Sequence, residues 1–93
     1  MPNSAKRILV VDDEDDICQI IKSKFESLGY EVLTACDGAE GFKQAKEGKP
    51  DCILLDIRIP RGEDGLTCLR KIRSYRDDDL AEETRMRNIP VIV

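Results

Sequence analysis

At 93 residues the chain falls short of one typical domain of about 100–150 residues, so it holds a single domain or less. Nineteen acids against fifteen bases leave a net charge of −4 and a pI near 4.8, which excludes the usual basic surface for nucleic acid. The longest apolar runs, Ile8–Val11 and Cys52–Leu55, are far below the ~20 residues of a membrane span, and no signal-length stretch precedes them, so a cytoplasmic protein without a membrane partner is expected.

Arg7-Ile-Leu-Val-Val11 reads as a strand buried on both faces of a parallel sheet, and it stops at the acidic cluster Asp12–Asp16. Ile17, Ile21, Phe25 and Leu28 then form one helical stripe, with acids at the end where the helix dipole favours them and Gly29 as its stop. Glu31–Ala35 is a second, more polar strand, expected at an edge. Asp37-Gly38 turns into a second helix with Ala39, Phe42 and Ala45 on one side, closed by Gly48-Lys49-Pro50.

Asp51–Leu55 is a third strand that also ends at an acid, Asp56. After the loop Ile57–Asp64, Gly65 opens a third helix with Leu66, Leu69 and Ile72 inward. Tyr75–Asn88 is highly charged and reads as a solvated extension of that helix or an exposed loop. Ile89–Val93 is a fourth strand. Such alternation predicts an α/β fold with right-handed crossovers and a parallel sheet.

The chain has no histidine, which removes Ser-His-Asp, Cys-His and His-metal chemistry. Cys18, Cys36, Cys52 and Cys68 lack the paired spacing of a zinc site and read as buried or half-buried thiols in a reducing compartment. Chemistry collects instead at the strand ends. Ligands of open parallel sheets bind beyond the carboxyl ends of the strands. If the first and third strands are neighbours, Asp12, Asp13 and Asp56 converge there. Carboxylates that close repel unless a cation compensates, and an oxygen-only donor set suits Mg²⁺. A single acid at a strand end is ordinarily a cap or a solvated turn residue; an acid pair after one buried strand with an acid after another favours a site.

Ile8-Leu-Val-Val-Asp-Asp-Glu14, Pro50-Asp-Cys-Ile-Leu-Leu-Asp56, Pro60 and Gly65 together resemble the receiver domain of two-component response regulators, from about Lys6 to Val93. Ala39-Glu40-Gly41-Phe42 supports the same register. The resemblance implies a flavodoxin-like, CheY-like parallel sheet of order 2-1-3-4. It implies that Asp56 accepts a phosphoryl group from a sensor histidine kinase or phosphotransfer protein. Asp12, Asp13, Asp56 and the backbone carbonyl of Arg58 would hold Mg²⁺, while Pro60 and Gly65 would shape the loop. Beyond self-phosphorylation and dephosphorylation, no enzyme activity is implied.

The chain departs from the family in three ways. A Ser or Thr after the fourth strand and a Lys after a fifth would lie past Val93, as would the last helix-strand-helix, so a C-terminally incomplete receiver over residues 1–93 is expected. The fourth strand then forms an apolar edge that invites self-association. Four residues, Arg61 to Asp64, separate Pro60 from Gly65 where the family commonly has three, and Ser74–Asn88 is longer than usual. An alternative reading is a non-switching, receiver-like interaction module that binds a partner through its exposed sheet. An aspartyl phosphohydrolase is disfavoured because Arg58 stands where a second acid is usual. Asp77-Asp78-Asp79 lacks calcium-loop spacing and reads as solvated surface, and Arg85 and Arg87 are too few for a nucleic-acid patch.

Overall fold

Side chains alternate across a strand, and Arg7–Val11 (β1) uses both sides of the alternation. Ile8 and Val10 belong to one apolar cluster, Leu9 and Val11 to another. All four are buried, so β1 is the centre of the molecule. The computed structural model describes residues 6–58 and 62–93. Glu31–Ala35 (β2), Cys52–Leu55 (β3) and Val91–Ile92 (β4) complete a parallel sheet of order β2-β1-β3-β4, the CheY-like arrangement. β2 is an edge strand, as its polarity predicts. The register sets Val11 opposite both Ala35 and Leu55.

Helix Asp15–Ser27 (α1) covers the Ile8 and Val10 face, with Cys18 buried and Ile21, Phe25 and Leu54 packed around it. Gly38–Glu47 (α2), Gly65–Arg73 (α3) and Leu80–Asn88 (α4) line the opposite face. There Ala45, Cys68, Ile72 and Met86 join Leu9, Val11, Ala35, Ile53 and Leu55. No helix among the described residues is long and apolar enough to cross a membrane.

Several inward-facing expectations shift by a position. In α1 the stripe is carried by Cys18, Ile21 and Phe25, while Ile17 and Leu28 are exposed. Leu28 sits where the helix ends and Gly29 turns away at φ +95°, so it has no sheet beneath it. In α2 the side facing the sheet is Gly38, Gly41 and Ala45, and Ala39 points outward. Gly41 is needed for close approach: a Cβ there would press on the Val11 methyl groups and meet the Cys68 sulfur. In α3, Cys68 and Ile72 take the buried positions and Leu66 is exposed. Cys36 is likewise exposed.

The charged stretch Tyr75–Asn88 is neither an extension of α3 nor an open loop. Asp79 caps a new helix, α4, accepting hydrogen bonds from the N–H groups of Ala81 and Glu82. Acids Glu82 and Glu83 lie in its first turn and bases Arg85 and Arg87 in its last, the arrangement the helix dipole favours. Met86 is its one fully buried side chain, and Ile89 follows it into the core. The fourth strand is correspondingly shorter than expected, Val91–Ile92 alone, with Ile92 and Val93 exposed.

Candidate functional site

Because Val11 and Leu55 are in register, the residues that follow them leave the sheet at the same level. The ladder continues one step further: the Asp12 N–H donates to the Ala35 carbonyl at 3.0 Å and the Asp56 N–H to the Val11 carbonyl at 2.9 Å. The backbones of both aspartates are therefore placed by sheet hydrogen bonds.

The expectation of converging acids is met. One carboxylate oxygen from each of Asp12, Asp13 and Asp56 lies within 4.8 Å of the others, and all three residues are half-buried. Asp12 Oδ1 accepts the Glu14 N–H at 2.9 Å, a local turn that leads into α1, and its carbonyl accepts from Cys18 Sγ at 3.4 Å. Burial and the Asp12 charge push the Cys18 thiol above its ordinary value, so it remains a neutral donor beneath the cluster. Asp56 Oδ1 accepts the Arg58 N–H at 2.8 Å. Its other oxygen makes no hydrogen bond among the described residues. The Arg58 side chain, 89% exposed, brings Nε to 3.8 Å from the same Oδ1.

These donors suit a hard divalent cation. All are oxygens, and they lie within 4.8 Å of one another, near enough for one ion with bonds of ~2.1 Å to draw them together. Such an ion would also offset the repulsion among three like charges. An open groove of about 530 Å³ starts at Asp12 and Asp56 and runs down the α1 face past Ile21, Leu54 and Ile92. A phosphate-sized group therefore has free access from solvent.

Pro60 lies outside the described residues. Gly65 is buried at the start of α3, and a Cβ there would run into the Asp56 carbonyl oxygen and the Ile57 Cα. The helix is capped just before it by Asp64, whose Oδ1 accepts the Thr67 N–H at 2.7 Å; that hydrogen bond holds the Asp64 carboxyl below its ordinary value.

Sequence reasoning missed how the far end of this loop is anchored. The Glu63 carbonyl accepts the Gly38 N–H at 2.6 Å, Gly62 takes φ +71° against the Asp37 side chain, and Asp37 itself caps α2 through the Glu40 N–H. The Glu63 carboxylate pairs with Lys71 of α3. The only signals were the Asp37-Gly38 dipeptide and the extra loop residue, neither of which names a partner.

Residues 8–92 match the family model described as the response regulator receiver domain. The alkaline phosphatase synthesis transcriptional regulatory protein PhoP of Bacillus subtilis is 42% identical over 71 residues, 76% of this chain and 29% of that protein. The chain thus spans less than a third of that curated relative. The receiver domain of sensor histidine kinase PA1611 from Pseudomonas aeruginosa, solved with magnesium coordinated in its active site cleft, is 30% identical with a TM-score of 0.77, covering 95% of this chain and 65% of that one. A chain in the complex of histidine kinase ThkA with response regulator protein TrrA is 42% identical with a TM-score of 0.68, covering 78% of this chain and 62% of that one.

Proposed function

Since the chain belongs to the response regulator receiver domain family, a family of signalling modules, we propose that it is a phosphoacceptor in a two-component phosphorelay, with Asp56 as the acceptor. The observation that carries this reading is the meeting of Asp12, Asp13 and Asp56 within 4.8 Å at the carboxyl ends of two adjacent parallel strands. Asp56 is shielded enough to act as a defined nucleophile, and the groove leaves it open to a donor.

The donor is the phosphohistidine of a sensor histidine kinase or of a phosphotransfer protein. A carboxylate oxygen of Asp56 forms the O–P bond while the N–P bond breaks, and the imidazole leaves with that electron pair. The Arg58 N–H, bonded to Oδ1, orients the carboxylate and leaves its second oxygen without a hydrogen bond among the described residues. Asp12, Asp13, Asp56 and the Arg58 carbonyl would hold Mg²⁺. When bound, the ion supplies charge neutralisation for the phosphoryl oxygens. The magnesium in the Pseudomonas neighbour and the kinase complex of the TrrA neighbour support this assignment of cofactor and partner.

Incubation with acetyl phosphate and Mg²⁺ tests the proposal. A hydroxylamine-labile mass increase of one phosphoryl group is expected, absent in Asp56→Asn and in metal-free buffer. Unlabelled wild-type protein that nonetheless binds Mg²⁺ would overturn it.

A further inference from the structure

We propose that the Glu63–Lys71 ion pair is a clasp that positions the stretch Gly62–Gly65 ahead of α3, and that it sets the affinity of the acidic cluster for a divalent cation. The inference rests on the metal-assisted phosphoacceptor reading and adds two residues to its machinery, as positioning residues that touch neither metal nor substrate.

Glu63 is held at two points. Its backbone carbonyl takes the Gly38 N–H at the start of α2, and its carboxylate Oε1 takes Lys71 Nζ from the second turn of α3. The Lys71 ammonium also lies 5.7 Å from the centre of the Phe42 ring on α2, so the cation is shared between two helices. Two residues on, Gly65 packs against the Asp56 carbonyl and Ile57 Cα without room for a methyl group. The stretch Gly62–Gly65 is thus wedged between α2, α3 and the backbone of the acceptor itself. A displacement of Glu63 transmits to Asp56 and Arg58, because the packing at Gly65 leaves no slack.

The two partners are unequal. The Glu63 side chain is 18% exposed, and its Oε2 is buried with no hydrogen-bond partner among the described residues, whereas Lys71 is 47% exposed. Removal of Glu63 leaves an ammonium that water can solvate. Removal of Lys71 leaves a largely buried carboxylate with no counter-charge, which must swing out and carry Gly62–Gly65 with it. The order of effects is therefore fixed: Lys71→Met is worse than Glu63→Gln, and Glu63→Gln placed on top of Lys71→Met rescues it.

The experiment measures Mg²⁺ affinity by calorimetry in the full chain for wild type, Glu63→Gln, Lys71→Met, the double variant and Lys71→Arg. Thermal midpoints and the amide resonances of Gly38 and Arg58 are recorded alongside. Lys71→Met is expected to weaken Mg²⁺ binding by about tenfold, the lower end of effects from groups that orient metal ligands, with shifts at both amides. Lys71→Arg is expected to stay near wild type, and the double variant to return to the Glu63→Gln value. Affinities within about twofold across the series, or a double variant worse than either single, would overturn the clasp. Should Lys71→Met unfold, Glu63→Gln decides alone through its affinity and the Arg58 amide. Asp56 labelling is scored separately: normal Mg²⁺ binding without labelling counts against the phosphoacceptor reading and leaves the clasp to be judged on affinity.

Discussion

The Arg58 N–H donates to Asp56 Oδ1 at 2.8 Å while the guanidinium of the same residue stands off at 3.8 Å, almost wholly in solvent. The backbone orients the acceptor, and the side chain supplies only a nearby positive charge. Arg58→Ala should then leave the fold intact, since an exposed pair is worth about 0–1 kcal/mol. An anionic donor such as acetyl phosphate is expected to label this variant about twofold to threefold more slowly at low salt, with the difference vanishing at high salt. Initial labelling rates at two ionic strengths check this.

Three carboxylates within 4.8 Å strain the metal-free protein. Asp13→Asn is expected to raise its thermal midpoint, because each half-exposed like-charge contact costs about 1 kcal/mol at the watery limit of Coulomb's law. Saturating Mg²⁺ should reverse the ranking. Wild type gains about 2.7 kcal/mol at a hundredfold excess over Kd, and the variant gains less. Thermal melts with and without Mg²⁺ read both effects.

Gly65→Ala should be among the most disruptive small substitutions. Its methyl group would meet the Asp56 carbonyl and Ile57 Cα, backbone atoms that cannot rotate away. A loss of about 1–3 kcal/mol in urea unfolding is expected, together with loss of labelling beyond what stability explains. Full labelling in a stably folded Gly65→Ala protein would contradict the close packing described.

Met86→Ala should destabilise by about 2–5 kcal/mol although it lies in the most charged stretch of the chain. Met86 anchors α4 to the core formed by Leu9, Ile53 and Ile72. Urea denaturation followed by circular dichroism measures the loss. The neighbouring Thr84→Ala, at an exposed position, is the control and should change little.

Acid should loosen α4 in a defined window. Hydrogen bonds from Arg85 and then Lys49 push the Glu82 carboxyl down from its ordinary 4.5 to about 2. A lowered carboxylate contributes stability that is present above the unfolded value and is lost as pH falls through the folded one. The contribution is therefore complete above about pH 4.5 and gone below about pH 2. Glu82→Gln is expected to flatten that part of the stability–pH curve. An unchanged curve would show that the ion pairs at Glu82 contribute nothing.

What could be read in the residues, and what could not, follows from how many side chains report the same fact. β1 and β3 declare themselves because several adjacent aliphatic residues need burial at once, and the acids that end them are visible as abrupt changes of polarity. Their register, and so the meeting of Asp12 with Asp56, follows once the two strands are neighbours. α4 hides because one methionine carries its whole buried face, while its start is marked only by Asp79 and the order of its charges. Leu66 and Ala39 misled for the opposite reason: their hydrophobicity suggested an inward side that Gly38, Gly41 and Cys68 occupy. Small residues are buried where backbones approach closely, and spacing alone does not reveal that. The Glu63–Lys71 pair joins a loop to a helix turn, a contact no periodicity encodes.

The central place of β1 also governs time. Its amides and carbonyls are engaged by β2 on one flank and β3 on the other, beneath helices on both faces, whereas β4 hangs from two residues at the rim. In hydrogen exchange, Leu9 and Val10 amides should open only when the whole molecule unfolds, and Ile92 should exchange orders of magnitude sooner. Asp12 and Asp56 hang from this slowest part of the molecule. Their arrangement should therefore outlast every partial opening of the rim, and the rim can breathe without the acids parting.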